Sequence, residues 1–326
     1  MHLTSTAAPI FVTGHRGLVG SAVVRRLQYA GFENLLLRSR AELDLRDRAA
    51  VDAFFASERV DFVVLAAAKV GGILANANYP ADFLGDNLAI AQNVIEAAHH
   101  AGVGSRGRLV FLGSSCIYPK HAPQPMREEH LLTGPLEPTN APYAVAKIAG
   151  LMLAESFHRQ HGDDFVSLMP TNLYGPGDNF DLQSSHVLPA LIRKFHDARE
   201  AGSPVTLWGT GTPRREFLLN EDLADAVHFI LRQPEESIRR VAPDGLLNVG
   251  VGEDIAIREL AELVREVVGS ESEIVLDTSK PDGTPRKLLD VSRMHSLGWS
   301  ALTELRTGIA DTYDWFKSAT DARLAV

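Results

Sequence analysis

Tyr143 and Lys147 stand four residues apart in Tyr143-Ala144-Val145-Ala146-Lys147. On a helix, positions i and i+4 share a face, so a phenol and an ammonium can enter one cleft. A nearby ammonium favours phenolate and so lowers the tyrosine pKa, which makes a usable proton donor near neutral pH. Such pairs also arise by chance on structural helices, and the company they keep decides. Upstream, Gly113-Ser114-Ser115-Cys116 follows directly on an apolar run. In an α/β sheet, a hydroxyl at the carboxyl end of a parallel strand stands where ligand chemistry occurs. Taken alone, Ser114 reads as a loop hydroxyl, Cys116 as a small core residue and His186 as helix-start packing.

A second set of residues points to a cofactor. Gly14-His15-Arg16-Gly17-Leu18-Val19-Gly20 lies between the first β-rich run and the first helical pattern. Glycines there let the backbone turn tightly and approach a pyrophosphate, whose charge meets the helix N-terminus. The second strand distinguishes the dinucleotides. An NAD enzyme places an acid at its end for the ribose 2′-hydroxyl, whereas this strand ends Leu37-Arg38-Ser39-Arg40. With Arg16 in the glycine loop, the guanidinium groups match a 2′-phosphate, so the expected cofactor is NADPH/NADP+. Asp44 is an adenine contact or a helix cap.

The elements that must hold these groups alternate. Strands are expected at 10–12, 35–37, 62–65, 109–112 and 165–169, with helices over 18–30, 49–57, 81–101 and 142–161. The uniformly apolar Phe62-Val63-Val64-Leu65 marks burial on both faces. This pattern predicts right-handed crossovers and a doubly wound parallel sheet, Rossmann-like, over residues 1–170. From 171 to 326 the rhythm degrades into short strands (205–208, 273–277) and helices (221–233, 256–268, 302–317). That predicts a smaller C-terminal α/β substrate lobe with returns to the sheet near Leu168 and 246–249.

Composition excludes several classes. The chain has 326 residues, 45% hydrophobic and 22% charged, an ordinary globular balance. Its apolar runs are far short of the roughly 20 residues that span a bilayer. A net charge of −9 argues against nucleic-acid or anionic-membrane partners. One cysteine allows no internal disulfide, and no Cys/His spacing suggests a metal. With no export-type N-terminus, a cytoplasmic location is expected.

The Ser114, Tyr143 and Lys147 set with its glycine loop resembles the extended short-chain dehydrogenase/reductase superfamily. Longer stretches narrow the match: Ala67 to Gly72, Leu112 to Lys120, Pro138 to Tyr143, Met169 to Pro176 and Lys280 to Lys287. They resemble the GDP-L-fucose synthase family, over about residues 10–316. Two departures stand out, a long Gly104 to Arg108 stretch and Asn220-Glu221-Asp222 where the family usually has a His-Val-Asp-Asp-type segment. The resemblance implies 3,5-epimerisation of GDP-4-keto-6-deoxy-D-mannose and then NADPH reduction at C4. It makes Tyr143 the proton donor, Lys147 its partner and Ser114 a hydrogen bond to the keto oxygen. It makes Cys116 and His186 the epimerising acid/base groups, in an order left open; unperturbed values near 8.5 and 6.5 suit that task. It adds Leu112, Gly113, Ser114, Ser115, Lys147, Pro170, Thr171, Asn172, Leu173 and His186 to the cofactor contacts. Lys194, Trp208, Arg215, Asp282 and Lys287 are implied for the GDP-sugar, and a homodimer through helices 85–100 and 142–161. The competing readings are another nucleotide-sugar epimerase/reductase and a catalytically silent NADP(H) sensor.

Overall fold

Phe62–Leu65 is strand β3, buried along its whole length, as are β1 (Ile10–Thr13), β4 (Arg108–Leu112) and β5 (Phe165–Pro170). Strands so apolar on both faces need cover on both faces, and parallel pairing supplies it because each crossover carries a helix. With β2 (Leu35–Leu36) at one edge and Leu246–Val249 at the other, the order is Leu246–Val249, β5, β4, β3, β1, β2. All pairs are parallel, with Ile10 opposite Phe62, Phe62 opposite Arg108 and Leu109 opposite Phe165. The computed structural model describes residues 2–280 and 282–324, so Pro281 of the Lys280 to Lys287 stretch lies outside the described residues.

Alternate strand residues feed two cores. Phe11, Val63, Leu65 and Phe111 join Val94, Ile95, Ile148 and Leu151 of the Pro80–His100 and Ala141–His161 helices. Ile10, Val12, Val64 and Val110 join Leu27 of helix α1 (Leu18–Tyr29) on the other face. A third core, with Ile192, Phe195, Leu207, Leu260 and Ile309, gathers helices Val187–Ala201, Ile257–Val268 and Leu305–Leu324 beside the sheet. The Asn220–Arg232 helix belongs to the sheet instead. Leu223 and Val227 enter the α1 core, while Arg25 bonds Glu221 at 2.5 Å and Arg26 bonds Asp225 at 2.8 Å. Amphipathic periodicity announces this helix but not which core receives its stripe.

The Gly104 to Arg108 stretch forms a short helix, Val103–Arg106, and delivers Arg108 to a fully buried position. Its guanidinium donates to Asp164 at 2.6 and 2.9 Å, to the Gln233 carbonyl at 2.9 Å and to the Ile230 carbonyl. It thereby ties the sheet to the end of the 220–232 helix, whose Ile230 carbonyl also takes the Gln233 N–H at 3.1 Å. Removing one partner of a buried ion pair deprives the other of its principal counter-charge, here two guanidinium bonds to Asp164. Arg108→Met is therefore expected to cost about 3–5 kcal/mol, read by urea unfolding. A loss under about 1 kcal/mol would mean that the pair is dispensable.

Candidate active site

The strand order reverses at β1, so a crevice opens at the carboxyl ends of β1 and β3. There the chain turns through Gly14 at φ +66°, a conformation that favours glycine. A Cβ on Gly14 would also stand 2.9 Å from the Ala67 backbone, and one on Gly20 would overlap the Gly14 carbonyl. Gly17 caps α1 without a side chain, and the first turn, from Leu18 and Val19, holds no acid. The helix N-terminus is left for an anion. His15 has a buried Nδ1 with no partner among the described residues. Arg16 is exposed, and Arg40 is 71% exposed with Asp44 only at 3.7 Å. Arg38 is instead paired with Glu58 at 2.7 Å. Asp44 accepts from Arg46 at 2.6 Å, and that bond holds its carboxyl down at about 2. A cradle that side chains would fill, an uncapped helix, the exposed Arg16 and a largely exposed Arg40 held only loosely by Asp44 fit NADPH.

At the same sheet edge, Leu112 ends β4 and Gly113 packs against the Met169 side chain, where a Cβ has no room. Ser114 opens the Ser115–Ile117 turn, and its Oγ accepts from the Cys116 N–H at 3.2 Å. The Ala141–His161 helix brings in Tyr143 and Lys147. Lys147, 5% exposed, donates to the Leu112 carbonyl at 2.8 Å, and burial pulls its ammonium down to about 8. The Tyr143 phenol is hydrogen-bonded with Ser114, yet burial, reinforced by Cys116, holds it well above the ordinary tyrosine value. The expected lowering by Lys147 is corrected here. The ammonium is turned to the strand-end carbonyl, with Nζ 5.8 Å from the Tyr143 ring centre, and does not offset desolvation. The phenol is protonated at neutral pH and has a proton to give.

Cys116 sits beside this pair, half-buried. Asn140 donates Nδ2–H to Sγ at 3.3 Å, and the Lys287 ammonium approaches the same sulfur to 3.9 Å. His186 is the N-cap residue of the Val187–Ala201 helix, makes no side-chain cap bond and is exposed. Desolvation by its surroundings, then the Lys287 charge, holds its imidazole below the ordinary value. The loop before it is pinned where Gly72 N–H donates to the Ser184 carbonyl at 3.2 Å and Asp181 accepts from the Ser184 N–H at 3.0 Å. Lys287, expected at the GDP-sugar, thus lies against Cys116, and its charge is felt at His186.

Pro170 ends β5, and Thr171 to Leu173 are held by a residue that the sequence did not single out. The Glu216 carbonyl accepts from Thr171 Oγ1 at 3.3 Å and Asn172 Nδ2 at 2.8 Å. Its fully buried carboxylate takes the N–H groups of Val251, Gly252 and Leu289 at 2.7, 2.8 and 3.0 Å. Asn220, also fully buried, donates to the Leu18 and Pro176 carbonyls at 3.1 and 3.0 Å, which gives the divergent 220–222 segment its contacts. Lys194 bonds the Thr206 carbonyl at 2.9 Å and Arg215 the Arg214 carbonyl at 2.8 Å. Burial lowers both. Among the described residues neither is bridged to a carboxylate, so their charge faces an anion unspent. Trp208 is 58% exposed beneath Lys280, 5.7 Å from its ring centre. Asp282 is taken by Thr210, at 2.9 Å to N–H and 2.8 Å to Oγ1, and holds the Trp208 turn.

This crevice, glycine cradle and Ser-Tyr-Lys set define a nucleotide-dependent oxidoreductase of the Rossmann class. The model of the NAD dependent epimerase/dehydratase family matches residues 10–250, and the chain belongs to that family. It is 56% identical to GDP-L-fucose synthase 1 of Arabidopsis thaliana, covering 96% of this chain and 94% of that one. It is also 56% identical to the GDP-L-fucose synthase of Escherichia coli, covering 94% and 96%. A crystal structure of a GDP-L-fucose synthetase from Naegleria fowleri bound to NADP superposes with a TM-score of 0.87 at 29% identity, covering 98% and 96%.

Lys147 also leaves a mark on stability. Below about 8 it is charged folded and unfolded, and above the ordinary lysine value it is neutral in both. Between these limits the unfolded chain binds the extra proton, so stability relative to Lys147→Met rises with pH. Urea unfolding of both proteins at about pH 7 and about pH 10 is expected to favour wild type more at the higher value. A difference independent of pH would contradict a buried ammonium.

Proposed function

We propose that the chain converts GDP-4-keto-6-deoxy-D-mannose into GDP-L-fucose by inverting C3 and C5 and then reducing C4. The observation that carries this reading is the joining of two apparatuses at one sheet edge. Tyr143 is hydrogen-bonded with Ser114, and Cys116 bears on the Tyr143 phenol while Lys287 bears on both Cys116 and His186. A reductase alone needs the first set only.

Carbons 3 and 5 flank a ketone, so loss of either proton gives an enolate with its charge on the C4 oxygen. Ser114 and Tyr143 hydroxyls stabilise that oxygen, and the same positions serve the alkoxide of reduction. Inversion requires a proton to leave one face and another to arrive at the opposite face, the task of Cys116 and His186. His186, held below its usual value, is neutral near pH 7 and can change protonation state. Tyr143, still protonated, gives its proton to the C4 oxygen. Lys147 orients the helix start through the Leu112 carbonyl and keeps positive charge beneath the site. Bound NADPH supplies the hydride, held by Gly14, Gly17, Gly20, Arg16 and Arg40. Lys194, Arg215, Trp208 and Lys287 receive the GDP-sugar, Asp282 acting through the Trp208 turn. In this reading residues 1–170 with the later returns hold the cofactor, the remainder the sugar nucleotide, and the enzyme works in the cytoplasm.

The test is NADPH oxidation by the purified protein with that keto sugar, the product identified by NMR. GDP-L-fucose is expected. Tyr143→Phe is expected to lower turnover by about 10²–10⁴-fold while leaving NADPH binding intact. An unepimerised product from wild type would remove Cys116 and His186 from the chemistry.

Leu88, Val145 and Met152 on the two long helices are 39, 46 and 46% exposed. A second copy covering these apolar side chains would remove them from water, and this exposure is what supports a homodimer. Sedimentation is expected to give a dimer for wild type and a monomer for Val145→Glu/Met152→Glu; a wild-type monomer would end this proposal.

A further inference from the structure

Asn140 occupies the N-cap position of the Ala141–His161 helix but makes no side-chain cap. Asn is favoured there because Oδ1 accepts a first-turn N–H, a bond usually worth about 1 kcal/mol. Here Oδ1 is buried with no partner among the described residues, and Nδ2 is aimed at Cys116 Sγ at 3.3 Å. A residue that forgoes its ordinary local bond, leaving an acceptor unmet, is held by something else. The turn that presents it is fixed at both ends. Glu137 is bridged to Lys120 at 2.8 Å, and the Lys120 N–H donates to the Pro135 carbonyl at 2.9 Å. The Asn140 N–H donates to the Glu137 carbonyl at 3.2 Å. From a separate element, the Arg286–Lys287 strand that pairs with Arg214–Arg215, Lys287 reaches the same sulfur at 3.9 Å.

We infer that Asn140 is a positioning residue for epimerisation, which with Lys287 holds the Cys116 sulfur in register with the sugar by donating N–H to it from two separate elements. The inference rests on the reading of Cys116 as an epimerising group. Charge-assisted donors act most strongly while the sulfur is anionic, whether before it takes a proton or after it gives one. The carbonyl oxygen of the sugar is handled by Ser114 and Tyr143, so Asn140 bears on the inversions and not on the hydride step.

Cys116 is the chain's one cysteine, so its alkylation by iodoacetamide, with the sulfur–carbon bond formed and iodide released, reads this site alone. Asn140→Asp keeps the shape and loses the donor, and Asn140→Ala removes the side chain. Both are expected to slow alkylation about tenfold or more. With keto sugar and NADPH, both should shift the product toward 4-reduced, incompletely epimerised sugar while NADPH affinity stays at the wild-type value. Unchanged alkylation with a wild-type product ratio would overturn the inference. So would equal slowing of epimerisation and reduction with unchanged alkylation, the signature of a helix-start defect. Slowed alkylation in a protein whose wild type does not turn over the keto sugar would uphold the donor cradle and sink the proposed substrate instead.

Discussion

Strands with apolar residues on both faces can be satisfied only inside a helix-covered sheet, and parallel pairing then sends every strand-to-helix turn to one edge. The Gly14 turn, Ser114 to Cys116, Pro170 to Leu173 and Lys147 against the Leu112 carbonyl all follow from that one requirement. Groups far apart in sequence meet because burial leaves the backbone no other route. The cost falls on charges drawn into the same edge. Lys147 is lowered and the Tyr143 phenol raised by the same loss of water.

A protein of net charge −9 must concentrate positive potential locally to hold a nucleotide sugar and a phosphorylated dinucleotide. The choice of partners does this. Arg214 is paired with Asp254 at 2.8 Å, and Arg286 is paired with the same carboxylate. Their chain neighbours Arg215 and Lys287 point instead to a backbone carbonyl and a sulfur. Lys147 and Lys194 likewise rest on carbonyls. A carbonyl fixes a cation's position without cancelling its charge, so these four remain available to anions.

Much of this was legible in residue order. The apolar runs announced the strands, the glycine spacing the first turn, and the Tyr143/Lys147 interval a shared helical face. What stayed hidden depends on contacts between distant segments. The Asn220–Arg232 helix shows its apolar stripe in sequence but not its preference for α1. The direction of the Tyr143 shift turns on whether Lys147 faces the phenol or the strand end, a rotamer and not a spacing. Asn140 is disguised by lying where an asparagine cap is expected, and Glu216 resembles any charge in an Arg-rich strand until its burial is seen. Asp282 was expected at the sugar and is found holding the Trp208 turn.

Glu216 gathers three backbone N–H groups from two segments onto one buried carboxylate: the tail of the Leu246–Val249 strand and the chain leaving Lys287. Its own backbone carries Arg215 on one side and is bonded by Asn172 on the other. These segments are therefore riveted together at this point. Parting them would have to strip a dehydrated carboxylate of its donors, which is far costlier than flexing exposed turns. Arg215 and Asn172 are thereby held in fixed relation to the end of the main sheet by a contact that neither of them makes through its own charge.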